Sequence, residues 1–226
     1  MDIPISQIKP VYNPHNHHPL QTSSSLIQTL NLHPHPEGGY FAETDRSPHP
    51  IQTHPNHQEN ETSLRAASSS IFYLLTPTAP LGVFHRHWGR TIHSWHRGRG
   101  RYVIIHADEA TCSHEGSGEF ERGAGKGTGK ARLESFVVGP DVARGERLQW
   151  VVGAGKYKAS YLLPERSNQD GGEVGGSNGL LISEVVVPGF EFADLEFLCR
   201  DKMGELLTAE QVRELSWMLK TSEEEG

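Results

Sequence analysis

A chain of 226 residues with 35% apolar side chains can bury one sizeable core, and its formal charge of −7 leaves no general basic face for nucleic acid. No run of about eighteen apolar residues is present and the first residues lack an apolar signal core, so neither a membrane span nor a secretory leader is expected. Two cysteines, Cys112 and Cys199, exclude a disulfide framework; they are read as free thiols in a reducing compartment, which makes a cytoplasmic location the expectation.

In chain order, residues 1–24 are rich in Pro, His and Asn and form an irregular arm. SSSLIQTLNL (23–32) places Leu26, Ile27 and Leu30 on one face of a short helix behind a serine cap. In HPHPEGGYFAETDRS (33–47) two prolines stop that helix, Gly38 and Gly39 permit a turn, and YFAET runs on as a strand. Residues 48–67 are polar and proline-punctuated, an exposed loop. Short apolar runs follow: SSSIFYLLTP (68–77), LGVFHRH (81–87), IHSWH (92–96), RYVIIHA (101–107), ARLESFVVG (131–139), LQWVVGAG (148–155), KASYLLPE (158–165) and LLISEVVVPGF (180–190).

Two Gly-rich stretches interrupt these runs, an insertion at 113–130 and a loop at 166–179. The insertion contains GAGKGTGK, which lacks the terminal Gly-Lys-Ser/Thr and the following helix of a phosphate loop. Thr208 and Gln211 form a capping box for AEQVRELSWML, whose Val212, Leu215 and Leu219 make an apolar stripe. An acidic tail follows. Many short strands without alternating helices predict a mainly β sandwich or barrel, with one domain over 25–200 and the C-terminal helix and tail over 201–226.

The chemically dense stretch is GVFHRHWGRTIHSWHRGRG (82–100), with four histidines, four arginines and no acid. Alternate strand residues share a face, so His85 and His87 can point to one interior while Arg86 points away; His93 and His96, three apart, cannot both face inward. Arg97, Arg99 and Arg101 alternate as either an oxyanion-binding strip or a solvated face. Glu37 stands either at a pocket mouth or as a turn anchor, and Glu43 with Arg46 either faces that pocket or forms a structural pair.

HPEGGYFAETDRS (35–47), SSSIFYLLTP (68–77), GVFHR (82–86), GERLQWVVGAGKYKAS (145–160) and EVVVPGFEFADLEFL (184–198), in this order and spacing, make the chain similar to the cupin-5 family over roughly residues 25–200. The resemblance implies a single double-stranded β-helix, the cupin jelly roll, with short N- and C-terminal helices and pairing as a homodimer. It also implies a first motif of two histidines one residue apart, a glutamate and a hairpin-closing glycine. His85, His87 and Gly98 fit, but Thr91 stands at the glutamate position, and Lys158 replaces the histidine of the second motif.

The leading expectation is a small-molecule-binding protein whose ligand is polar or anionic: a sugar, nucleotide fragment or organic acid. His85 and Lys158 are the catalytic candidates for a metal-independent isomerase or epimerase. Glu37, Tyr73, His87, Thr91, His93 and Trp95 are the ligand-binding candidates. A second expectation is a metal-dependent oxygenase or lyase holding Zn, Fe, Mn or Cu on His85, His87 and His93. A third is a non-enzymatic, storage-like or interaction protein.

Overall fold

Short apolar runs rich in β-branched and aromatic residues, bounded by turn residues, commit the middle of the chain to strands, and eleven strands stack as two facing antiparallel sheets. The computed structural model describes residues 3–10, 21–53, 63–110, 129–166, 173–174 and 178–221. One sheet runs β1 (His33–Pro34), β2 (Tyr40–Arg46), β5 (Ser69–Leu75), β14 (Leu180–Val187), β7 (Arg90–Arg97) and β10 (Gln149–Val152). The other runs β15 (Glu196–Phe197), β6 (Leu81–Arg86), β11 (Tyr157–Leu162), β8 (Gly100–His106) and β9 (Arg132–Val138). Two ribbons stand apart, β3 (Pro50–Thr53) with β4 (Ser63–Ala66), and β12 (Glu165–Arg166) with β13 (Glu173–Val174). The mainly β jelly roll expected from the sequence is the fold.

Three apolar clusters hold the layers together. Between the sheets, Tyr73, Leu75, Tyr102, Phe136, Trp150 and Ile182 interlock. Outside the five-stranded sheet, Phe84, Val103 and Ile105 meet Met203, Leu206, Leu215 and Met218 of the C-terminal segment. Outside the six-stranded sheet, Leu74 and Leu181 meet Leu26, Ile27 and Leu30. Each large side chain so buried contributes on the order of 1.5–3 kcal/mol. Strand β8 is buried along its whole length because helices cover its outer face.

The helices depart from the sequence expectation in detail. Helix α1 (Gln21–Thr29) begins two residues before the serine read as its cap; the Ser23 hydroxyl instead donates to the Asn178 carbonyl at 2.9 Å. A distant backbone acceptor thus takes the group that local capping would have used. Helix α2 (Arg200–Leu206) precedes the expected one, and α3 (Ala209–Leu215) carries the capping box between Thr208 and Gln211. The expected exposed loop at 48–67 contains the β3–β4 ribbon, whose proline sits at a strand start where no ladder donor is needed. Most of the Gly-rich insertion, with its Cys112 neighbourhood, lies outside the described residues, as do parts of the N-terminal arm, the 166–179 loop and the acidic tail. Cys199 is exposed with a free thiol. Among the described residues no helix is long and apolar enough to cross a membrane.

Two glycines are required by geometry. Gly98 closes the β7–β8 hairpin at φ 77°. Gly38 has φ 100°, and a Cβ there would lie 2.1 Å from the Leu81 carbonyl oxygen. The turn is stitched to both sheets: the Val83 amide donates to the Glu37 carbonyl at 2.8 Å, and the Tyr73 hydroxyl donates to the Gly38 carbonyl at 2.9 Å. Gly38→Ala is therefore expected to cost at least about 2 kcal/mol, read as a lowered urea midpoint. An unchanged midpoint would show that the turn is not held in this conformation.

Candidate functional site

Strand parity decides what faces the interior. On β14, Leu180 and Ile182 face the apolar half, and Glu184 and Val186 continue the same row into a cavity. On β7, Thr91, His93 and Trp95 share the inward phase; on β11, Lys158 and Ser160 do. The interior is thus apolar at one end and polar at the other.

The polar end is a cavity of about 80 Å³, room for roughly five to eight waters. Buried Glu37, His87, Lys158 and Glu184 form its floor. Phe41, Ile71, Phe190 and Phe192 line its walls, and Glu43, Arg46 and Glu191 its mouth. The chain reaches this mouth through a cis Val187–Pro188 bond, and the Phe190 amide is held by the Ser69 hydroxyl at 2.9 Å. Phe190 and Phe192, which the sequence presents as structural anchors, are walls of the cavity.

Two polar clusters meet at the floor. In the first, Lys158 Nζ lies 2.5 Å from Glu184 Oε2 and 3.1 Å from His93 Nε2. This contact crosses from β11 in one sheet to β14 in the other. In the second, Glu37 Oε2 lies 3.1 Å from His85 Nε2 and 3.7 Å from His35 Nδ1. His85 Nδ1 donates to the Val83 carbonyl at 2.8 Å, so its Nε2 is an acceptor and makes no aligned hydrogen bond. His35 Nδ1 already accepts from the Glu37 amide at 3.2 Å. Glu37 therefore faces one bare acceptor nitrogen, on His85, and one on His35 that its own amide occupies, and neither offers a donor, an arrangement that favours a proton on its carboxyl.

The electrostatics agree. Burial raises the Glu37 carboxyl from 4.5 to about 8, against the pull of Lys158. Burial alone would also raise Glu184, but the Lys158 ammonium, then His93, override it and hold that carboxyl well below its usual range. Burial, with Lys158 adding to it, drops His85 well below 6.5 and His87 to about 3. Burial likewise lowers His93, and takes His35 to about 4. At neutral pH the cavity floor thus holds one protonated carboxyl, one ionised carboxylate and neutral imidazoles.

The candidates from the sequence fall into three places. Glu37, His87 and Lys158 line the cavity. Thr91, His93, His85 and Tyr73 stand behind it: the Thr91 hydroxyl is 2.9 Å from His87 Nε2, and Tyr73 braces the Gly38 turn. Trp95 is not brought to the cavity; it packs on the apolar half and its indole N–H donates to the Gly98 carbonyl at 2.8 Å. Arg86 points away as expected, paired with Glu196 at 2.7 Å. The arginine strip is neither a solvated face nor an anion floor: Arg99 is buried against Glu146 at 2.8 Å, and Arg101 donates to the Ser135 hydroxyl at 2.9 Å. Glu43 and Arg46 do both things foreseen for them, pairing at 2.7 Å and lining the mouth.

Sequence reasoning missed Glu184 and His35. The signal for Glu184 was present, an acid in phase with Leu180, Ile182 and Val186 inside the apolar run LLISEVVV. His35 carried no signal beyond lying two residues before Glu37.

The histidine set does not fit a metal. One nitrogen of each of His85, His87 and His93 is taken, by the Val83 carbonyl, Thr91 and Lys158, and among the described residues their remaining nitrogens do not converge within 4.8 Å as a ligand set; the Lys158 ammonium also sits against His93 and Glu184. Among the described residues, the one group of three His, Cys, Asp or Glu side chains with ligand atoms within 4.8 Å of one another is His106, Asp108 and Glu109. There Lys156 already lies 3.0 Å from His106 Nδ1 and 2.6 Å from Asp108, and Arg132 lies 2.8 Å from Glu109.

A family model described as the cupin superfamily (DUF985) matches residues 24–198. The chain belongs to this family. The match covers nearly the span expected from the sequence motifs. This cupin is 39% identical over 203 residues to the uncharacterized protein YML079W of Saccharomyces cerevisiae, covering 86% of each chain. It is similar to the structure of a hypothetical protein from Leishmania major, with 25% identity, a TM-score of 0.63, and 88% and 98% of the two chains covered. It is also similar to protein SO0799 from Shewanella oneidensis, with 24% identity, a TM-score of 0.57, and 87% and 98% covered. These likenesses establish the fold and name no activity.

Two predictions follow from the floor. The folded value of Glu37 lies above its ordinary 4.5, so its share of stability is complete below that pH and lost as pH rises through about 8. The buried histidines lie below 6.5, so theirs is complete above it and lost on acidification towards about 3 to 4. Melting temperature should therefore decline on both sides of about pH 6.5, and Glu37→Gln should flatten the alkaline limb, whose slope from one proton is at most about 1.4 kcal/mol per pH unit. An alkaline limb unchanged by the substitution would assign it to other groups. Separately, Lys158→Met leaves the Glu184 carboxylate buried and unpaired, an expected loss of about 3–5 kcal/mol by urea unfolding. The double variant Lys158→Met/Glu184→Leu should recover most of it; additive losses would mean that the two side chains are not coupled.

Proposed function

We propose that this cupin binds a small polar metabolite in the cavity and moves a proton at a carbon beside a carbonyl group, a metal-independent isomerisation or epimerisation. The observation that carries the reading is Glu37, a carboxyl lining an open cavity, neutral at pH 7 and backed by the acceptor nitrogen of His85. A value of about 8 is matched to proton transfer near neutrality, with about a tenth of the molecules carrying the carboxylate at pH 7.

In this reading the Glu37 carboxylate takes the proton from carbon. Lys158, without leaving Glu184, supports through its field the negative charge that develops on the carbonyl oxygen. Glu37 then returns the proton, to the opposite face or to the neighbouring carbon. His85, held by the Val83 carbonyl, orients Glu37 and does not touch the substrate. Glu184 holds Lys158 in place. The neutral carboxyl and the pre-positioned ammonium at the floor of an open cavity favour catalysis over storage.

A test independent of the substrate's identity is carbon-bound deuterium. The protein is incubated in D₂O with a panel of short aldoses, ketoses and hydroxyketones, and exchange is read by mass spectrometry. Exchange is expected with at least one compound, rising with pH through about 8 and falling about 10²- to 10⁴-fold in Glu37→Gln. Exchange that survives this substitution, or none across the panel, overturns the proposal.

A further inference from the structure

We propose that the cavity selects an uncharged polyhydroxy carbonyl compound and rejects the phosphorylated or carboxylated forms of the same molecule. This rests on the reading of the cavity as the ligand site, and it narrows the polar or anionic ligand expected from the sequence to a neutral one.

The argument is an inventory of charge. The cavity is lined by two permanent cations, Lys158 and Arg46, and by four carboxyl groups, Glu37, Glu43, Glu184 and Glu191. Both cations are committed. Lys158 is spent on Glu184 at 2.5 Å and His93 at 3.1 Å. The guanidinium of Arg46 uses Nε and one NH₂ on Glu43, at 3.1 and 2.7 Å, and the same NH₂ also reaches the Phe190 carbonyl at 3.1 Å. Its other NH₂ holds Glu191 at 3.1 Å. The cations just behind the cavity are also engaged, Arg86 with Glu196 at 2.7 Å and Lys156 with Asp108 at 2.6 Å.

With Glu37 protonated, three carboxylates therefore face two cations. The imidazoles of His35 and His87 add no charge above about pH 4. An entering phosphate or carboxylate would have to strip Lys158 from Glu184 and strand a buried carboxylate, which is costlier than the new contact repays. The molecule's formal charge of −7 adds repulsion at long range.

What the cavity leaves open suits hydroxyl and carbonyl groups. His87 Nδ1 is buried and has no partner. Whichever tautomer Thr91 imposes through Nε2, a ligand hydroxyl satisfies Nδ1, because a hydroxyl both donates and accepts. With Glu37 Oε2 facing His85 Nε2 at 3.1 Å, the other oxygen of the carboxyl is an acceptor for a ligand hydroxyl. Phe41, Phe190 and Phe192 offer ring surfaces to C–H groups, Phe190 and Phe192 standing edge to face with centroids 5.2 Å apart. A free volume of about 80 Å³ admits a short-chain compound and not a nucleotide.

The test uses matched pairs, dihydroxyacetone and glyceraldehyde against their monophosphates, with binding followed by ligand-observed NMR and exchange by deuterium incorporation on the full chain. The neutral member of each pair is expected to bind at least tenfold better. The variant Glu43→Gln/Glu191→Gln, which frees Arg46 at the exposed mouth, should shift the phosphate-to-neutral ratio at least tenfold toward phosphate. Preference of the wild type for a monophosphate, or an unchanged ratio in the variant, overturns the inference. Glu37-dependent exchange of a monophosphate overturns this inference and leaves the proton-transfer proposal standing. Glu37-independent exchange of the neutral compound does the reverse. Binding of neither member of either pair overturns both this inference and the assignment of the cavity as the ligand site.

Discussion

A single charged bridge across the interior organises the rest of the molecule. Lys158 on one sheet meets Glu184 on the other at 2.5 Å, and both side chains are nearly excluded from water. Neither charge could be buried alone. Paired, they let two strands carry ionisable groups into a β sandwich, and they set the potential felt by every other polar group at the floor. Burial, and after it the same ammonium, depresses the imidazoles of His85 and His87. The ammonium also sits 3.1 Å from His93 Nε2.

Against this fixed bridge, Glu37 is the adjustable element. It rides on a turn clamped by hydrogen bonds to β6 and β5, and the turn exists because Gly38 tolerates a backbone that a side chain would drive into Leu81. The clamp presses the carboxyl against two imidazoles that have their donors turned elsewhere. One carboxyl is thereby kept neutral and another ionised within the same cavity, and environments that push like groups apart are how a site assigns acid and base roles.

Much of the architecture was legible. The short, turn-bounded apolar runs of SSSIFYLLTP, RYVIIHA and LLISEVVV announce strands, and the motifs around HPEGG and VVVPGF announce the cupin arrangement. The shared phase of His85 and His87 and the outward phase of Arg86 were readable from alternation; whether Lys158 and His93 face inward was not. The β3–β4 ribbon and α2 were not, because their segments carry no clear period and owe their form to what they pack or pair with. The start of α1 was misplaced because Ser23 found an acceptor 155 positions away.

The sequence by itself determined which residue types enter the sandwich and on which face, because alternation is a property of the local backbone. It could not determine partners across the interior, since Lys158 and Glu184 lie 26 positions apart on different sheets and Glu37 reaches His85 only through the fold. Whether a lysine is a free anion-binding cation or half of a spent ion pair depends on distances of a few ångströms between strands. Charge state depends on burial and neighbours together. Only the tertiary structure supplied those, and they turned a histidine-rich stretch that suggested metal into the support for a neutral carboxyl.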